Sequence, residues 1–319
     1  MTTIASASAG KRRLGISLVG LLVLLAALTL GGGARAGTAF AAAYPVQAQF
    51  TAPGPYATTT GAVTDSTGAA IYDLYYPSDY ASLGFKSPII TWGNGTGATP
   101  GDYSTLLEHL ASYGFTVIAS TLENTGSGNE IDAAAHYLVA QDTNPDSPFD
   151  GHLNVHEVAA VGHSQGAGGA TRAATNDPGL ITTLMTFSLP NTIWVSSNPD
   201  CPTAANCMFD PADLTQPSFF ISTHGLLDLL IASPLTELSY FDSASGHDAL
   251  GIISQSDGKP ADHSSIQNVA SGGNPDGELG YATAWLEYQL LGNRTAASAF
   301  TGATPELTSN TNWPGSAVK

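Results

Sequence analysis

Basic residues are scarce in this chain. Of 319 residues nine are Lys or Arg against 26 Asp or Glu, and charged residues make up only 11%. Four of the nine cations (Lys11, Arg12, Arg13, Arg35) fall in the first 36 positions, a stretch without Asp or Glu, which leaves five against 26 in the remainder, or about −21. That balance excludes a basic groove and argues against nucleic acid, anionic membranes or strongly acidic substrates as partners. Cysteine is rarer still: Cys201 and Cys207 are the only two. A disulfide framework is therefore excluded, and a metal site at the pair lacks further ligands, because no His lies within ten residues of either. The Lys-Ser/Thr ending of a phosphate-binding P-loop is missing, as are internal repeats and any Gly/Pro/Ser-rich linker. What is plentiful is apolar sequence, 43% of residues, enough for a sizeable core.

The N-terminus has a secretory layout: Lys11-Arg12-Arg13, an apolar run from Leu14 to Leu30, then small residues. Cleavage is expected after Ala34-Arg35-Ala36 or after Ala41-Ala42-Ala43, leaving one domain over residues 44–319. The competing reading is a retained anchor, since 17 apolar residues reach the lower edge of a bilayer span. Arg12-Arg13 leaves the export route open. Once exported, Cys201 and Cys207 would meet oxidising conditions, and a local disulfide is the expected outcome.

Downstream, the clearest early strand is Ile71–Tyr76, read as part of an antiparallel opening. Then strands and helices alternate: strand Pro88–Trp92, helix Tyr103–Tyr113, strand Thr116–Ser120, helix Glu130–Gln141, strand Glu157–Val161, helix Gly166–Thr175 and strand Leu184–Ser188. Strands at Ser218–Thr223 and Leu250–Ser254 and a helix at Tyr281–Leu291 complete the series. Such alternation predicts an α/β fold, a mostly parallel central sheet with helices on both faces.

Gly162-His163-Ser164-Gln165-Gly166 is the one G-x-S-x-G string, and it joins the apolar strand EVAAV to the small-residue stretch AGGATRAAT. A nucleophile elbow requires that strand-turn-helix setting. Ser164 would sit at a sharp turn, where side chains at minus two and plus two would strike neighbouring backbone, and glycines at 162 and 166 remove that collision. The bland alternative is a Gly-rich turn that only packs a helix close to the sheet. A serine of ordinary acidity needs a base and an orienting carboxylate, in the order Ser, acid, His.

Asp228 follows the strand Ser218–Thr223 at the C-terminal sheet edge and is the expected acid, with Asp242 and Asp248 in reserve. His263, nine residues beyond the strand ending at Ser254, is the expected base; His247 precedes that strand, on the wrong side. His163 is read as facing the helix interior, and His109, His136, His152 and His156 as surface or packing residues. His152 and His156 in HLNVH lack the glutamate of a zinc protease motif. Oxyanion donors are expected from the backbone N–H of Gln165 and from Gly93-Asn94-Gly95-Thr96-Gly97, with Thr96 the second donor.

These residues, with PIITWGNGTG, VGHSQGAGGA and AWLEYQLLGN, resemble the α/β-hydrolase superfamily. Within it the chain is similar to the branch of dienelactone hydrolases, chlorophyllases, bacterial cutinases and poly(ethylene terephthalate) hydrolases. The resemblance implies an α/β-hydrolase fold and hydrolysis of carboxylic esters through an acyl-enzyme. Ser164, His263 and Asp228 would be the triad, and no metal or cofactor would be needed. Trp194 matches an aromatic that follows the strand after the elbow helix, and it and Trp92 are expected to line an apolar subsite, the alternative being that both are core aromatics. Thr96 stands where the polyester hydrolases carry an aromatic clamp and Gln165 where they commonly carry Met, which weakens any preference for aromatic polyesters. The stretch from Ser196 to Asp213 is longer than in those enzymes and is expected to reshape the cleft. The expected partner is a neutral ester, small or polymeric, acted on by a secreted monomer that keeps no membrane attachment. Lipase, chlorophyllase-like esterase and peptidase remain open within the same machinery. A non-catalytic binding protein is the alternative outside enzymes, though such proteins usually lose a triad member or the elbow glycines.

Overall fold

The computed structural model describes residues 42–197, 201, 203–269 and 277–319. The expected leader, residues 1–36, lies outside them. A nine-stranded mixed sheet forms the centre. In chain order its strands are β1 (Thr58–Thr64), β2 (Ala70–Pro77), β3 (Ser87–Gly93), β4 (Thr116–Ser120), β5 (Leu153–His163), β6 (Thr183–Phe187), β7 (Ser218–Thr223) and β8 (Ala249–Ile253). A two-stranded hairpin, β9 (Gln255–Ser256) and β10 (Lys259–Pro260), stands apart, and β11 (Ala317–Val318) completes the main sheet. The spatial order is β1-β2-β4-β3-β5-β6-β7-β8-β11. The block from β4 to β8 is parallel, whereas β1, β2 and β11 pair antiparallel at the two edges. The antiparallel opening and parallel block expected from sequence are both present.

The helices are α1 (Pro45–Thr51), α2 (Ser104–Ser112), α3 (Asn129–Gln141), α4 (Gln165–Asn176), α5 (Leu226–Ile231), α6 (Pro234–Ser243), α7 (Leu279–Leu291), α8 (Arg294–Ala297) and α9 (Glu306–Ser309). Successive strand residues point to opposite faces, so each central strand supplies two cores. Ile90, Val117 and Phe219 face α1, α2 and α7 through Phe50, Leu106 and Trp285. Ile89, Ile118 and Phe220 face α3, α4 and α6 through Ile131, Ala170 and Phe241. Both faces are covered, which is why the parallel strands read as continuous apolar runs instead of alternating ones.

Helix α1, which no periodicity in the sequence announces, is held by tertiary contacts. The Val46 and Gln47 N–H groups donate to the Glu306 carboxylate, and a Cβ on Gly280 of α7 would fall 2.5 Å from the Gln47 carbonyl oxygen. Among the described residues no helix is long and apolar enough to cross a membrane.

Candidate active site

The six parallel strands end along one edge of the sheet, and the segments after five of them, β3, β5, β6, β7 and β8, supply one site. Ser164 follows β5 and opens α4 with φ 54° and ψ −123°, a strained conformation for a residue with a Cβ. Its N–H donates to the Phe187 carbonyl on β6, and its own carbonyl accepts from Ala167 and Gly168, so the turn is fixed on both sides. The flanking glycines are obligatory. A Cβ at Gly162 would lie 2.3 Å from the Gly166 carbonyl oxygen, and one at Gly166 would lie 2.3 Å from the Gly93 carbonyl group. The obstacles are backbone, which cannot rotate away.

Ser164 Oγ lies 3.0 Å from His263 Nε2, and His263 Nδ1 lies 2.6 Å from Asp228 Oδ1. The structure thus brings together the three residues singled out in the sequence. Asp228 is fully buried on α5, with Oδ2 accepting from the Thr223 N–H at 3.1 Å, the Thr223 hydroxyl at 2.6 Å and the Ser188 hydroxyl at 3.1 Å. Three donors hold one oxygen and leave the other for the imidazole, which keeps Nδ1 protonated and Nε2 available as a base toward Ser164. Asp248, the reserve acid, sits at the opposite end of β7, accepting from the Ser218 N–H and pairing with Lys319.

Thr96 and Gln165 flank Ser164 in an apolar cavity of about 180 Å³, together with Gly168, Trp194, Phe209 and Ile231. Gln165 Oε1 accepts from the Thr125 N–H at 2.8 Å, and its Nε2 donates to Asn124 Oδ1 at 3.2 Å. Asn94 is buried and donates to the Ser120 and Leu122 carbonyls. The loops after β3 and β4 are therefore laced to each other and to the elbow. Trp194 lines the cavity, but the reading of Trp92 as a subsite residue is corrected. Its side chain is fully buried at the end of β3 and its indole N–H donates to Asn94 Oδ1 at 3.0 Å, so it supports the loop from beneath.

His163 also departs from expectation. As the last residue of β5, not the first of the helix, it points toward the base's loop: Nε2 donates to the His263 carbonyl at 2.8 Å. Nδ1 must then accept, and its partner is the Tyr103 hydroxyl at 2.9 Å, which itself accepts from the Gly95 N–H at 3.0 Å. One buried path connects the Thr96 loop, the elbow and the backbone of His263. Burial, reinforced by the neighbouring His263 charge, pushes His163 down to about 3, so it stays neutral and its donor pattern does not reverse. His109 is likewise buried, donating to the Phe50 carbonyl, and exposed His136 pairs with Asp177.

Sequence reasoning missed Ser188, Thr223, Tyr103, Gly168 and Phe209. Ser188 and Thr223 follow or end strands at the edge where Asp228 was sought, a usable signal. Tyr103, Gly168 and Phe209 carried none, because their roles depend on packing. Cys201 and Cys207 are joined as expected, and the stretch they belong to walls the cavity through Cys207 and Phe209.

A family model described as PET hydrolase-like matches residues 38–198, which includes the elbow and the Thr96 loop but ends before Asp228 and His263. Cutinase est1 of Thermobifida alba is 31% identical over 112 residues, covering 34% of this chain and 36% of that protein. Cutinase est2 of the same organism is 31% identical over 112 residues, covering 34% of this chain and 35% of its own length. The similarity thus spans about a third of the curated relatives. With half of its length matched and the sheet, elbow and edge loops in place, the chain belongs to the PET hydrolase-like family.

Proposed function

We propose that the chain is a secreted serine esterase, residues 44–319 forming its catalytic domain after loss of the leader. Ser164 Oγ attacks the ester carbonyl carbon while His263 Nε2 takes its proton, and Asp228 stabilises the imidazolium. The N–H groups of Thr96 and Gln165 receive the tetrahedral oxyanion. Collapse breaks the bond to the alkoxy oxygen, which leaves with the proton from His263, and the acyl group stays on Ser164. Water, deprotonated by the same nitrogen, then attacks the acyl-enzyme and releases the carboxylic acid.

The observation that carries this reading is Ser164 Oγ at 3.0 Å from His263 Nε2 on a residue held at φ 54°. A turn that only packed a helix would have no need of a strained serine facing an oriented imidazole. Family membership and the two cutinases support the ester as the bond cleaved. The disulfide and the oxidising compartment it implies favour export. The test is hydrolysis of p-nitrophenyl esters by the mature protein beside Ser164→Ala and His263→Ala. Each variant should lose turnover by a factor of roughly 10⁶. A folded wild type that neither turns over the series nor reacts with a serine-directed phosphonate would return the chain to the binding proteins.

One surface feature favours a polymeric or film-like ester over a dissolved one. Beside the cavity that Trp194 and Ile231 line, α5 and the start of α6 expose Leu226 (79%), Leu230 (66%) and Leu235 (78%), and Ile193 (73%) is exposed next to Trp194. The two acidic residues within residues 225–239, Asp228 and Glu237, are both fully buried. On a chain of net charge −17 this is an uncharged apolar apron, complementary to a neutral ester surface and not to an ionic one. Leu226→Ser with Leu230→Ser should cut adsorption to, and release of products from, a neutral aliphatic polyester film while leaving p-nitrophenyl ester turnover unchanged. Equal loss on both substrates would remove the polymer reading.

A further inference from the structure

The cavity beside Ser164 is lined by Trp194 and Ile231 and also by Gly168, Cys207 and Phe209, residues that the esterase mechanism does not use. Gly168 lies four residues past the nucleophile on α4, hence on the same helix face as Ser164. With no side chain there, the Phe209 ring packs close over α4: a Cβ on Gly168 would come within 3.1 Å of that ring. Phe209 also lines a second, more polar cavity of about 630 Å³, with Arg172, Asn176, Asp210, Asp213 and Tyr240 among its walls. One ring therefore separates an apolar recess from a larger polar one.

That ring is held in place. Phe209 is buried and meets Tyr240 edge-on at 5.9 Å between centroids. The segment before it is tied by the Cys201–Cys207 bond and by Arg172, whose Nε donates to the Ser127 carbonyl at 2.9 Å and whose Nη1 donates to the Met208 carbonyl.

The recess also has a chemical sense of direction. In an ester bound for attack, the alkoxy oxygen must approach His263 Nε2, which protonates it, and the carbonyl oxygen must face Thr96 and Gln165. His263 is not among the residues that line the recess, whereas both oxyanion residues are. The remaining substituent on the carbonyl carbon, the acyl chain, is the one that enters. We propose that Phe209 is the end stop of an acyl recess and selects esters of short, unbranched aliphatic acids. An apolar cavity of about 150 Å³ holds one benzene, so about 180 Å³ admits roughly half a dozen methylene-sized groups.

This inference rests on the serine esterase reading, and its test separates the two. Wild type, Phe209→Ala, Phe209→Leu and Gly168→Ala are assayed as mature proteins on p-nitrophenyl esters from acetate to dodecanoate, with melting temperatures recorded for each. In wild type, kcat/KM should rise by roughly threefold to fourfold for each methylene that enters the recess, then fall. Phe209→Ala should move the optimum to longer chains by several carbons as the two cavities merge, and Phe209→Leu by fewer. Gly168→Ala should move it the other way. Active variants that all keep the wild-type profile overturn the end stop and leave the esterase standing. A wild type inactive on the whole series overturns both.

Discussion

Tyr103→Phe removes one oxygen atom from a residue that touches neither Ser164 nor any bound acyl group, yet it should injure both stability and turnover. The lost hydroxyl accepts from the Gly95 N–H at 3.0 Å and donates to His163 Nδ1 at 2.9 Å, and both of those partners are buried. Leaving a buried donor or acceptor unpaired costs about 1–3 kcal/mol, so two orphans amount to about 2–6 kcal/mol. For a domain of this size that corresponds to a fall in Tm of roughly 5–15 °C. The kinetic effect follows from position: Gly95 precedes Thr96, and displacement of a proposed oxyanion donor by even part of an ångström should lower kcat by roughly tenfold to a hundredfold. KM should move little, because the oxyanion exists only in the transition state. Calorimetry and steady-state hydrolysis of p-nitrophenyl butyrate read the two effects. Tyr103→Phe and His163→Phe combined should cost less than the sum of the singles, since they share one bond. A Tm within about 2 °C of wild type with kcat unchanged would refute the reasoning.

Gly166→Ala places a methyl 2.3 Å from the Gly93 carbonyl and 2.4 Å from the Asn94 carbonyl oxygen, forcing α4 away from β3. Turnover should fall by roughly a hundredfold or more, with overpacking costing about 1–3 kcal/mol in chemical denaturation. Glu237 is fully buried and, among the described residues, its carboxyl oxygens make no hydrogen bond of good geometry; burial first, then the Asp228 charge, raise it well above the usual carboxylate range, the Leu189 backbone opposing weakly. The folded state therefore binds a proton that the unfolded state gives up above about pH 4.3. Stability falls as pH rises through that window, by up to about 1.4 kcal/mol per pH unit. Glu237→Gln should flatten that slope between pH 5 and 8 and match wild type near pH 4. Parallel slopes would show that Glu237 is ionised in the folded protein.

The site was legible where chemistry imposes local order on the chain. Gly162 and Gly166 could be read because any Cβ there would meet backbone. Asp228 and His263 could be read because parallel strands deliver their loops to one edge. The strands from β3 to β8 were legible because burial on both faces makes them apolar runs. Trp92 was misread because a strand-end aromatic looks the same whether it faces the cleft or the layer beneath, and only the Asn94 contact decides. Helix α1 was missed since Glu306, some 260 residues away, completes its first turn. The path from Gly95 through Tyr103 and His163 to His263 spans four separate segments, and no periodicity or spacing records it.

The second residue of the elbow motif is consequently not interchangeable in this protein. His163 occupies a position that the pentapeptide pattern leaves unspecified, yet its ring is wired outward to Tyr103 on one side and to the main chain of His263 on the other. Grafting Gly162–Gly166 into a relative, or a relative's elbow into this chain, would carry over the nucleophile but sever its registry with the base. A working exchange must move Tyr103, His163 and the segment around His263 as one inherited unit.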